Sequence, residues 1–263
     1  MKALVTGSSG FVGSRLARAL RDRGEEVIGV DPRVGPETNR FGIASKECYG
    51  EQYDLVFHTA GMVDVTQCEK DPIGAWEANV AESLALARQI TVKKAFVHTA
   101  SYAALTPTAN IYGRVKAEAD FWLSKIPMPY ASLTLVNIYG VGGQGVISRF
   151  LLNRNPRIRG DGHQVRDFVY IDDVVDILIS IGTKAQLGVH RIAGERASIR
   201  KLAALVGRTD LPHDEALSFE IKAPSDYKPT IRAKTTLKEG IAKMAAEAKE
   251  QGLQVYGKYA EEA

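Results

Sequence analysis

The chain has few cysteines, no long apolar run and little net charge. Cys48 and Cys68 are its only cysteines, and neither has metal-ligand spacing to the other or to a histidine. We therefore expect reduced thiols, as in a cytoplasmic protein, and no metal site. No apolar run approaches the ~20 residues of a membrane helix, and the first residues enter a strand without a signal-peptide pattern. The formal net charge of +3 is too small to predict nucleic-acid binding, although it suits an anionic small ligand.

The order of the predicted elements indicates a layered α/β protein. Short apolar runs that predict buried strands alternate with stretches in which apolar residues recur at helical spacing. The predicted strands cover residues 3–5, 27–30, 55–58, 95–98 and 130–136, and helices are predicted to begin near residues 11, 73 and 111. Such alternation builds a parallel sheet with helices on both faces. Because the pattern becomes irregular after residue 136, we predict a doubly wound parallel sheet with a smaller, mixed α/β C-terminal lobe.

A glycine-rich turn follows the first predicted strand. Gly7, Gly10 and Gly13 are spaced three apart and lead into a predicted helix. A side chain at the first glycine would hinder the tight turn, and one at the second would hold the backbone away from a pyrophosphate. The third glycine would let the helix lie close to the sheet, and the amides at the helix start suit a phosphate. This context predicts that the turn binds a dinucleotide.

An acidic residue stands where the second predicted strand ends. Asp31 lies 24 residues after Gly7, where a carboxylate can accept hydrogen bonds from an adenosine ribose diol. The same carboxylate would repel a 2′-phosphate, so NAD is favoured over NADP, although the nearby Arg33 leaves room for NADP. The alternative is an aspartate that only caps a helix or closes a loop.

A tyrosine and a lysine four residues apart form the candidate catalytic pair. Tyr112 and Lys116 lie in a predicted helix, one turn apart on the same face. A phenol has a pKa of about 10, and a nearby ammonium would lower it toward the range of a useful base. Ser101 follows a predicted strand, where its hydroxyl could share the substrate's proton with Tyr112; Thr99 is the alternative. Taken alone, such a pair is also typical of a solvated helix face.

These segments together resemble the extended short-chain dehydrogenases/reductases, the family of NAD-dependent nucleotide-sugar epimerases and dehydratases. The resemblance lies in TGSSGFVG at residues 6–13, YGRVK at residues 112–116 and GDGHQVRDFVYIDDV at residues 160–174. It implies a Rossmann-like fold, a bound NAD and hydride transfer from a sugar carbon. The family's catalytic serine, tyrosine and lysine map onto Ser101, Tyr112 and Lys116.

The resemblance also implies which residues bind the two ligands. Asn137 matches an Asn-x-Tyr-Gly step into the substrate pocket, and Arg166 matches an arginine that contacts the diphosphate of a nucleotide sugar. With Ser101, these would form the substrate site. The residues expected to bind NAD are Gly7, Ser9, Gly10, Phe11, Val12, Gly13, Asp31, Thr59, Ala60, Asn79, Thr99, Tyr112 and Lys116.

The same resemblance implies two functional regions and a homodimer. We expect residues 1–138, with a return at 167–187, to form a dinucleotide-binding domain. Residues 139–166 and 188–263 would form the substrate-binding lobe. Family members often pair through helices that correspond to residues 73–90 and 111–123, so we expect a homodimer, with no nucleic-acid or membrane partner.

The chain departs from the family in ways that bear on its substrate. The second diphosphate arginine is missing near residues 223–226, where Lys222 or Arg232 could substitute. The leading hypothesis is a nucleotide-sugar 4-epimerase that acts through a transient keto intermediate. A 4,6-dehydratase would carry an Asp-Glu pair where Tyr102 and Ala103 stand. A sugar or ketone reductase that uses NAD(P), and a nucleotide-sensing regulator that is not an enzyme, remain the alternatives.

Overall fold

The computed structural model describes residues 1–31, 48–214 and 227–260. Arg33, Lys222 and the segment 223–226, which entered the sequence-based predictions, lie outside the described residues. None of the helices in the described ranges has the length and apolar content needed to cross a membrane. The chain divides into two compact units. Unit 1 comprises Met1–Leu135, Val175–Arg191 and Ala223–Lys228, and unit 2 comprises Val136–Val174, Ile192–Lys222 and Pro229–Ala263.

A parallel sheet runs through unit 1. Its strands are β1 (Lys2–Thr6), β2 (Glu26–Val30), β3 (Gln52–His58), β4 (Thr91–Ser101), β5 (Tyr130–Leu135) and β9 (Gly188–Ala193). Their spatial order is β2-β1-β3-β4-β5-β9, and the short β12 (Ile231–Arg232) pairs with the last two residues of β9 as the seventh strand. The order reverses between β1 and β3, because the chain moves outward to β2 and then back across to β3. Ligands of open parallel sheets bind at the carboxyl ends of the strands beside such a reversal.

Helices flank this sheet where apolar residues recur at helical spacing. They are α1 (Phe11–Arg21), α2 (Val65–Lys70), α3 (Pro72–Trp76), α4 (Glu82–Gln89), α5 (Ile111–Leu123) and α7 (Ile171–Thr183). The predicted helix over residues 73–90 is interrupted by a π-helical turn, Glu77–Ala81. The side chain of Asn79 donates to the carbonyl of Ala75, four residues earlier, and so occupies an acceptor of an ordinary helix. The backbone N–H of Glu82 bonds five residues back, to Glu77.

Unit 2 contains two small sheets and three helices among the described residues. The first sheet is mixed: β8 (Val165–Tyr170) pairs in parallel with β6 (Asn137–Tyr139) and antiparallel with β10 (Glu195–Ser198). In the second, β7 (Ile158–Arg159) pairs with β11 (His213–Asp214). The helices are α6 (Val146–Leu152), α8 (Ile199–Val206) and α9 (Leu237–Glu250). The large parallel sheet and the smaller mixed sheet confirm the predicted α/β fold class.

Candidate active site

The glycine turn packs against the chain that leaves β3, at the point where the strand order reverses. Gly7 has a φ of +68°, and a Cβ there would lie 2.9 Å from the backbone N of Ala60. The N–H of Gly10 closes the turn by donating to the carbonyl of Gly7 at 2.8 Å. A Cβ at Gly13 would collide with that same carbonyl and lie 2.8 Å from the hydroxyl of Thr59. The third glycine therefore lets α1 approach the turn itself. We call the turn formed by Gly7, Gly10 and Gly13 the glycine cradle, because side chains at these positions would fill the space that it leaves open.

Asp31 is held against the glycine turn. The N–H of Ser9 donates to Oδ2 of Asp31 at 2.9 Å, and the carboxylate side chain is buried. The contact places a negative charge at the end of β2, beside the turn, which is where a ribose diol is bound in dinucleotide folds. Phe11 and Val12, two further predicted cofactor residues, form the first turn of α1 directly after the glycine turn.

A chain of hydrogen bonds links Thr6, His58, Ser83 and Asn79, and each residue donates to the next. Ser83 Oγ donates to the carbonyl of Asn79 at 2.7 Å, so its oxygen can only accept from His58 Nε2, also at 2.7 Å. His58 is therefore protonated on Nε2, and Nδ1 accepts from the hydroxyl of Thr6 at 2.7 Å. Burial lowers the pKa of His58 to about 3, so the ring is neutral. The chain joins β1, β3 and α4 to the π-helical turn.

Three further predicted cofactor residues, Thr59, Ala60 and Thr99, form hydrogen bonds at the carboxyl ends of the strands. The hydroxyl of Thr59 donates to the carbonyl of Thr6 at 2.7 Å, and the N–H of Ala60 donates to the Thr6 hydroxyl at 3.3 Å. The hydroxyl of Thr99 donates to the carbonyl of His58 at 3.1 Å. Thr59, Ala60 and Thr99 therefore fix the carboxyl ends of β1, β3 and β4 relative to one another.

Asn79 presents an unsatisfied acceptor. Its amide nitrogen donates to the carbonyls of Met62, at 3.1 Å, and Ala75, at 2.9 Å. Its Oδ1 is buried and has no hydrogen-bond partner among the described residues, and it lies 2.5 Å from where a Cβ of Gly61 would stand. A buried acceptor without a partner is costly. The glycine cradle and the buried Asp31 together fit a bound dinucleotide, since they could hold its pyrophosphate and a ribose diol.

Ser101 and Tyr112 are brought together by a close approach of two helices. Ser101 ends β4 and caps the 3-10 turn Tyr102–Leu105, with its Oγ accepting from the N–H of Ala103 at 3.2 Å. A Cβ at Gly113 would lie 2.5 Å from the carbonyl of Ala103, so only glycine lets α5 pack this closely. This close approach brings the Ser101 hydroxyl near the phenol of Tyr112, and the hydroxyl acts to lower the pKa of that phenol.

Burial dominates the acid–base properties of the catalytic pair. The pKa of Tyr112 is raised, mainly by burial, and the hydroxyl of Ser101 only partly opposes that rise. The predicted lowering of this pKa is not seen: burial raises it, and Lys116 is not among the groups that shift it. Lys116 is 4% exposed, and burial lowers its own pKa to about 8, with Asp120 acting in the opposite sense. The site is therefore apolar enough to disfavour both charged forms.

Two of the three predicted substrate residues, Asn137 and Arg166, lie in unit 2, whereas Ser101 lies in unit 1. Asn137 begins β6, and its amide donates to the carbonyl of Asp167 at 3.0 Å. Arg166 lies on the paired strand β8. Arg149, on α6, has a buried Nε without a partner among the described residues, and its pKa is lowered by burial and by the nearby Arg159 and Arg166.

Arg149 and Arg159 were not predicted from the sequence, although the density of arginines between positions 149 and 166 was a signal. Burial raises the pKa of Asp167, and the proposed substitute Arg232 is one of the charges that oppose this rise. Three guanidinium groups that influence one another, with one of them partly unsatisfied, form a region of positive potential in unit 2.

The comparison with protein families decides the affiliation. The model of the NAD dependent epimerase/dehydratase family matches residues 3–193. The chain belongs to this family. The match confirms the predicted resemblance and makes the protein a member of a group of NAD-dependent nucleotide-sugar enzymes.

Individual members of the family are distant in sequence. UDP-glucose 4-epimerase from Mycolicibacterium smegmatis is 27% identical over 266 residues, which cover 81% of this chain and 85% of that one. The structure of MoeE5 in complex with UDP-glucose and NAD has a TM-score of 0.78 at 22% identity, covering 95% of this chain and 99% of that one. UDP-glucose 4-epimerase from Thermotoga maritima, solved with UDP-glucose, has a TM-score of 0.75 at 22% identity, with coverage of 95% and 99%. The likeness to the two structures shows a shared fold.

Proposed function

We propose that this protein is an NAD-dependent 4-epimerase that acts on a UDP-sugar. The proximity of the Ser101 hydroxyl to the phenol of Tyr112, on the same sheet edge as the glycine cradle, carries the proposal. The phenol is a candidate proton acceptor, and the neighbouring hydroxyl can hold the same substrate oxygen. The names of the relatives, UDP-glucose 4-epimerases and an NAD-containing UDP-glucose complex, support the substrate class.

In the proposed reaction, NAD, when bound, accepts the hydride from the carbon that carries the hydroxyl and later returns it. Tyr112 would remove the proton of the 4-hydroxyl group as the phenolate; burial disfavours this form, and the positive charges of Lys116 and of bound NAD would favour it. Ser101 would donate a hydrogen bond to the same substrate oxygen. The proton remains on Tyr112 while the 4-keto sugar turns over, and it returns to the same oxygen when the opposite face is reduced. Lys116 would hold the nicotinamide ribose and would supply positive charge to the site. No proton or hydride is gained or lost overall.

The preference for NAD over NADP rests on Asp31. Its carboxylate is anchored by Ser9 at the end of β2, and a 2′-phosphate beside it would place two negative charges together. The cradle residues, Asn79, Thr59, Ala60 and Thr99 would hold the rest of the dinucleotide. Unit 1 would then act as the dinucleotide-binding domain.

The diphosphate of the UDP-sugar is assigned to the arginines of unit 2. Arg166 is the residue implied by the family, and Arg149 and Arg159 supply further guanidinium groups around it. Asn137 would add an amide at the same mixed sheet. An Arg149→Gln variant is expected to raise the KM for the UDP-sugar about tenfold and leave kcat unchanged.

The reaction is tested by supplying UDP-sugars, beginning with UDP-glucose, and following the C4 epimer by nuclear magnetic resonance. The expected result is an equilibrium mixture of two epimers without accumulation of NADH. Stoichiometric NADH would contradict the proposal and identify a dehydrogenase of the same family. A 4,6-dehydratase is disfavoured because Tyr102 and Ala103 follow Ser101, where that reaction needs acidic groups.

The exposed apolar surface of α3 and α5 supports a homodimer. Ile73, Trp76, Phe121 and Trp122 are each at least 45% exposed. Large exposed apolar side chains that cluster on neighbouring helices are typical of protein–protein interfaces. Light scattering at micromolar concentration tests this, and a monomeric mass would contradict it.

A further inference from the structure

His98 is a buried polar side chain that the proposed mechanism does not use. It lies on β4, three positions before Ser101, and is 1% exposed. Its ring stacks on that of His58, with centroids 5.5 Å apart and planes inclined by 25°. Whereas His58 uses both ring nitrogens, neither ring nitrogen of His98 has a hydrogen-bond partner in the described part of the chain. An imidazole without any partner is unusual in a protein interior.

A second poorly satisfied group lies beside His98. The register of β4 and β5 pairs His98 with Ser132, so their side chains point to the same face of the sheet. Ser132 is fully buried, and its hydroxyl has no hydrogen bond of ordinary geometry among the described residues. This hydroxyl is only a minor influence on the phenol of Tyr130, which donates to Asp120 at 2.6 Å. Buried water is the usual partner of polar atoms gathered in this way.

Lys116, on α5, is the third group that we consider together with His98 and Ser132. Its charge acts on both His58 and His98, and Asp120 is the carboxylate that acts on Lys116. Burial, followed by Lys116 and then His58, holds the pKa of His98 well below its usual value. His98 is therefore neutral, with one ring nitrogen as a donor and the other as an acceptor. These titratable groups therefore interact with an amine whose pKa burial lowers to about 8.

We propose that His98 and Ser132 hold a buried water that accepts a hydrogen bond from the Lys116 ammonium, which makes His98 a positioning residue for Lys116. The water donates to the acceptor nitrogen of His98, and the hydroxyl of Ser132 completes its coordination. A bond of this kind favours the charged form of the amine and opposes the effect of burial. The proposal rests on the proposed function, because it concerns the lysine placed in that mechanism, but its main test needs no turnover.

The test measures the pKa of Lys116 by nuclear magnetic resonance of ¹³C-labelled lysine side chains, assigned with Lys116→Met. His98→Leu has a similar volume and removes both ring nitrogens, whereas His98→Gln keeps a donor and an acceptor. We expect the pKa of Lys116 to fall by about one unit in His98→Leu and by less than about 0.3 units in His98→Gln. Val97→Ala, which opens space on the opposite face of β4, is the control and should leave this pKa unchanged.

Ser132→Ala gives an independent check if His98→Leu does not fold. It removes one contact of the water and should lower the pKa of Lys116 by a smaller amount. An unchanged pKa in both His98→Leu and Ser132→Ala, or in Ser132→Ala alone when the other variant is unfolded, overturns the proposal. Absence of epimerase activity in the wild-type protein, with the pKa pattern as expected, would instead overturn the proposed function and leave the water site in place.

Discussion

The hydroxyl of Ser101 lies near the phenol of Tyr112 and acts on its pKa, across the contact between the end of β4 and the start of α5. This relationship depends on Gly113, which faces the carbonyl of Ala103 without a side chain. The same N-terminal turn of α5 is capped by Asn110, whose side chain accepts from the N–H of Gly113 at 2.7 Å. Backbone features thus set the position of the side chain that we propose as the base.

Replacing Tyr112 with Phe should abolish proton transfer and keep the fold. General acid–base groups contribute about 10²- to 10⁴-fold, so kcat should fall by about 10³-fold with little change in KM. The fold is checked by circular dichroism, and Tyr256→Phe in unit 2 serves as the control. An unchanged kcat in Tyr112→Phe would remove this residue from the mechanism.

The buried charge of Lys116 should lower the free energy of unfolding at neutral pH. Its pKa is about 8 in the folded protein, against 10.5 for an unperturbed lysine, so the unfolded chain binds the proton more tightly between these values. Stability should therefore rise as pH increases from about 8 to about 10. Lys116→Met removes the buried charge and should be more stable than wild type at neutral pH by about 1–3 kcal/mol, while losing activity.

Urea unfolding of both proteins across this pH range measures the difference. The advantage of Lys116→Met should shrink as pH rises, because the wild-type amine is then neutral in both states. Lys125→Met, a change at an exposed lysine just after α5, is the control. A constant difference at all pH values would mean that Lys116 is not the group that titrates.

The order of the strands and helices was predictable because short sequence patterns indicate each element. The apolar runs ending at Thr6, His58 and His98 identify strands, and glycines and polar residues follow each of them at the carboxyl edge. Since parallel strands present these ends at one edge of the sheet, the sequence also indicated which residues would meet. The elements of unit 2 were harder to predict, because the strands β7, β11 and β12 are only two residues long and show no periodicity in the sequence.

The electrostatics of the site were not predictable in the same way. The spacing of Tyr112 and Lys116 indicated a shared helix face, but it carried no information on how deeply the two groups are buried. Burial is a tertiary property, and it decides both pKa shifts. The unsatisfied nitrogens of His98 were missed for the same reason, since a histidine at the end of an apolar strand predicts only a packed side chain.

Asp31 offers a direct test of cofactor choice. Asp31→Asn keeps an oxygen that can accept from Ser9 and removes only the charge. The affinity for NADP should then rise by about tenfold, whereas the affinity for NAD should change less, because repulsion of the 2′-phosphate is removed. Titration of the two cofactors, followed by tryptophan fluorescence or calorimetry, gives the ratio of dissociation constants.

A control for Asp31→Asn is Asp22→Asn, which removes a charge beyond the end of α1. It should leave the NAD/NADP ratio unchanged. If Asp31→Asn also leaves the ratio unchanged, the carboxylate does not discriminate between the two cofactors and only closes the turn.

The hydrogen-bond chain through His58 should couple stability to cofactor binding. Thr6→Val preserves the side-chain shape but leaves Nδ1 of His58 and the N–H of Ala60 without their partner. Each buried group left unsatisfied costs about 1–3 kcal/mol, so we expect a loss of about 2–4 kcal/mol in the free energy of unfolding. Because Ala60 lies against Gly7 in the turn, the affinity for NAD should weaken as well.

Ser83→Ala separates these two effects. It removes the acceptor for His58 Nε2 at the far end of the chain and should cost about 1–3 kcal/mol of stability, with a smaller effect on NAD affinity, since the turn keeps its contacts. Urea unfolding and cofactor titration measure both quantities, with the exposed Ser124→Ala as the reference. Equal losses of NAD affinity in Thr6→Val and Ser83→Ala would show that the chain acts only through global stability, because a local effect must depend on the distance from the turn.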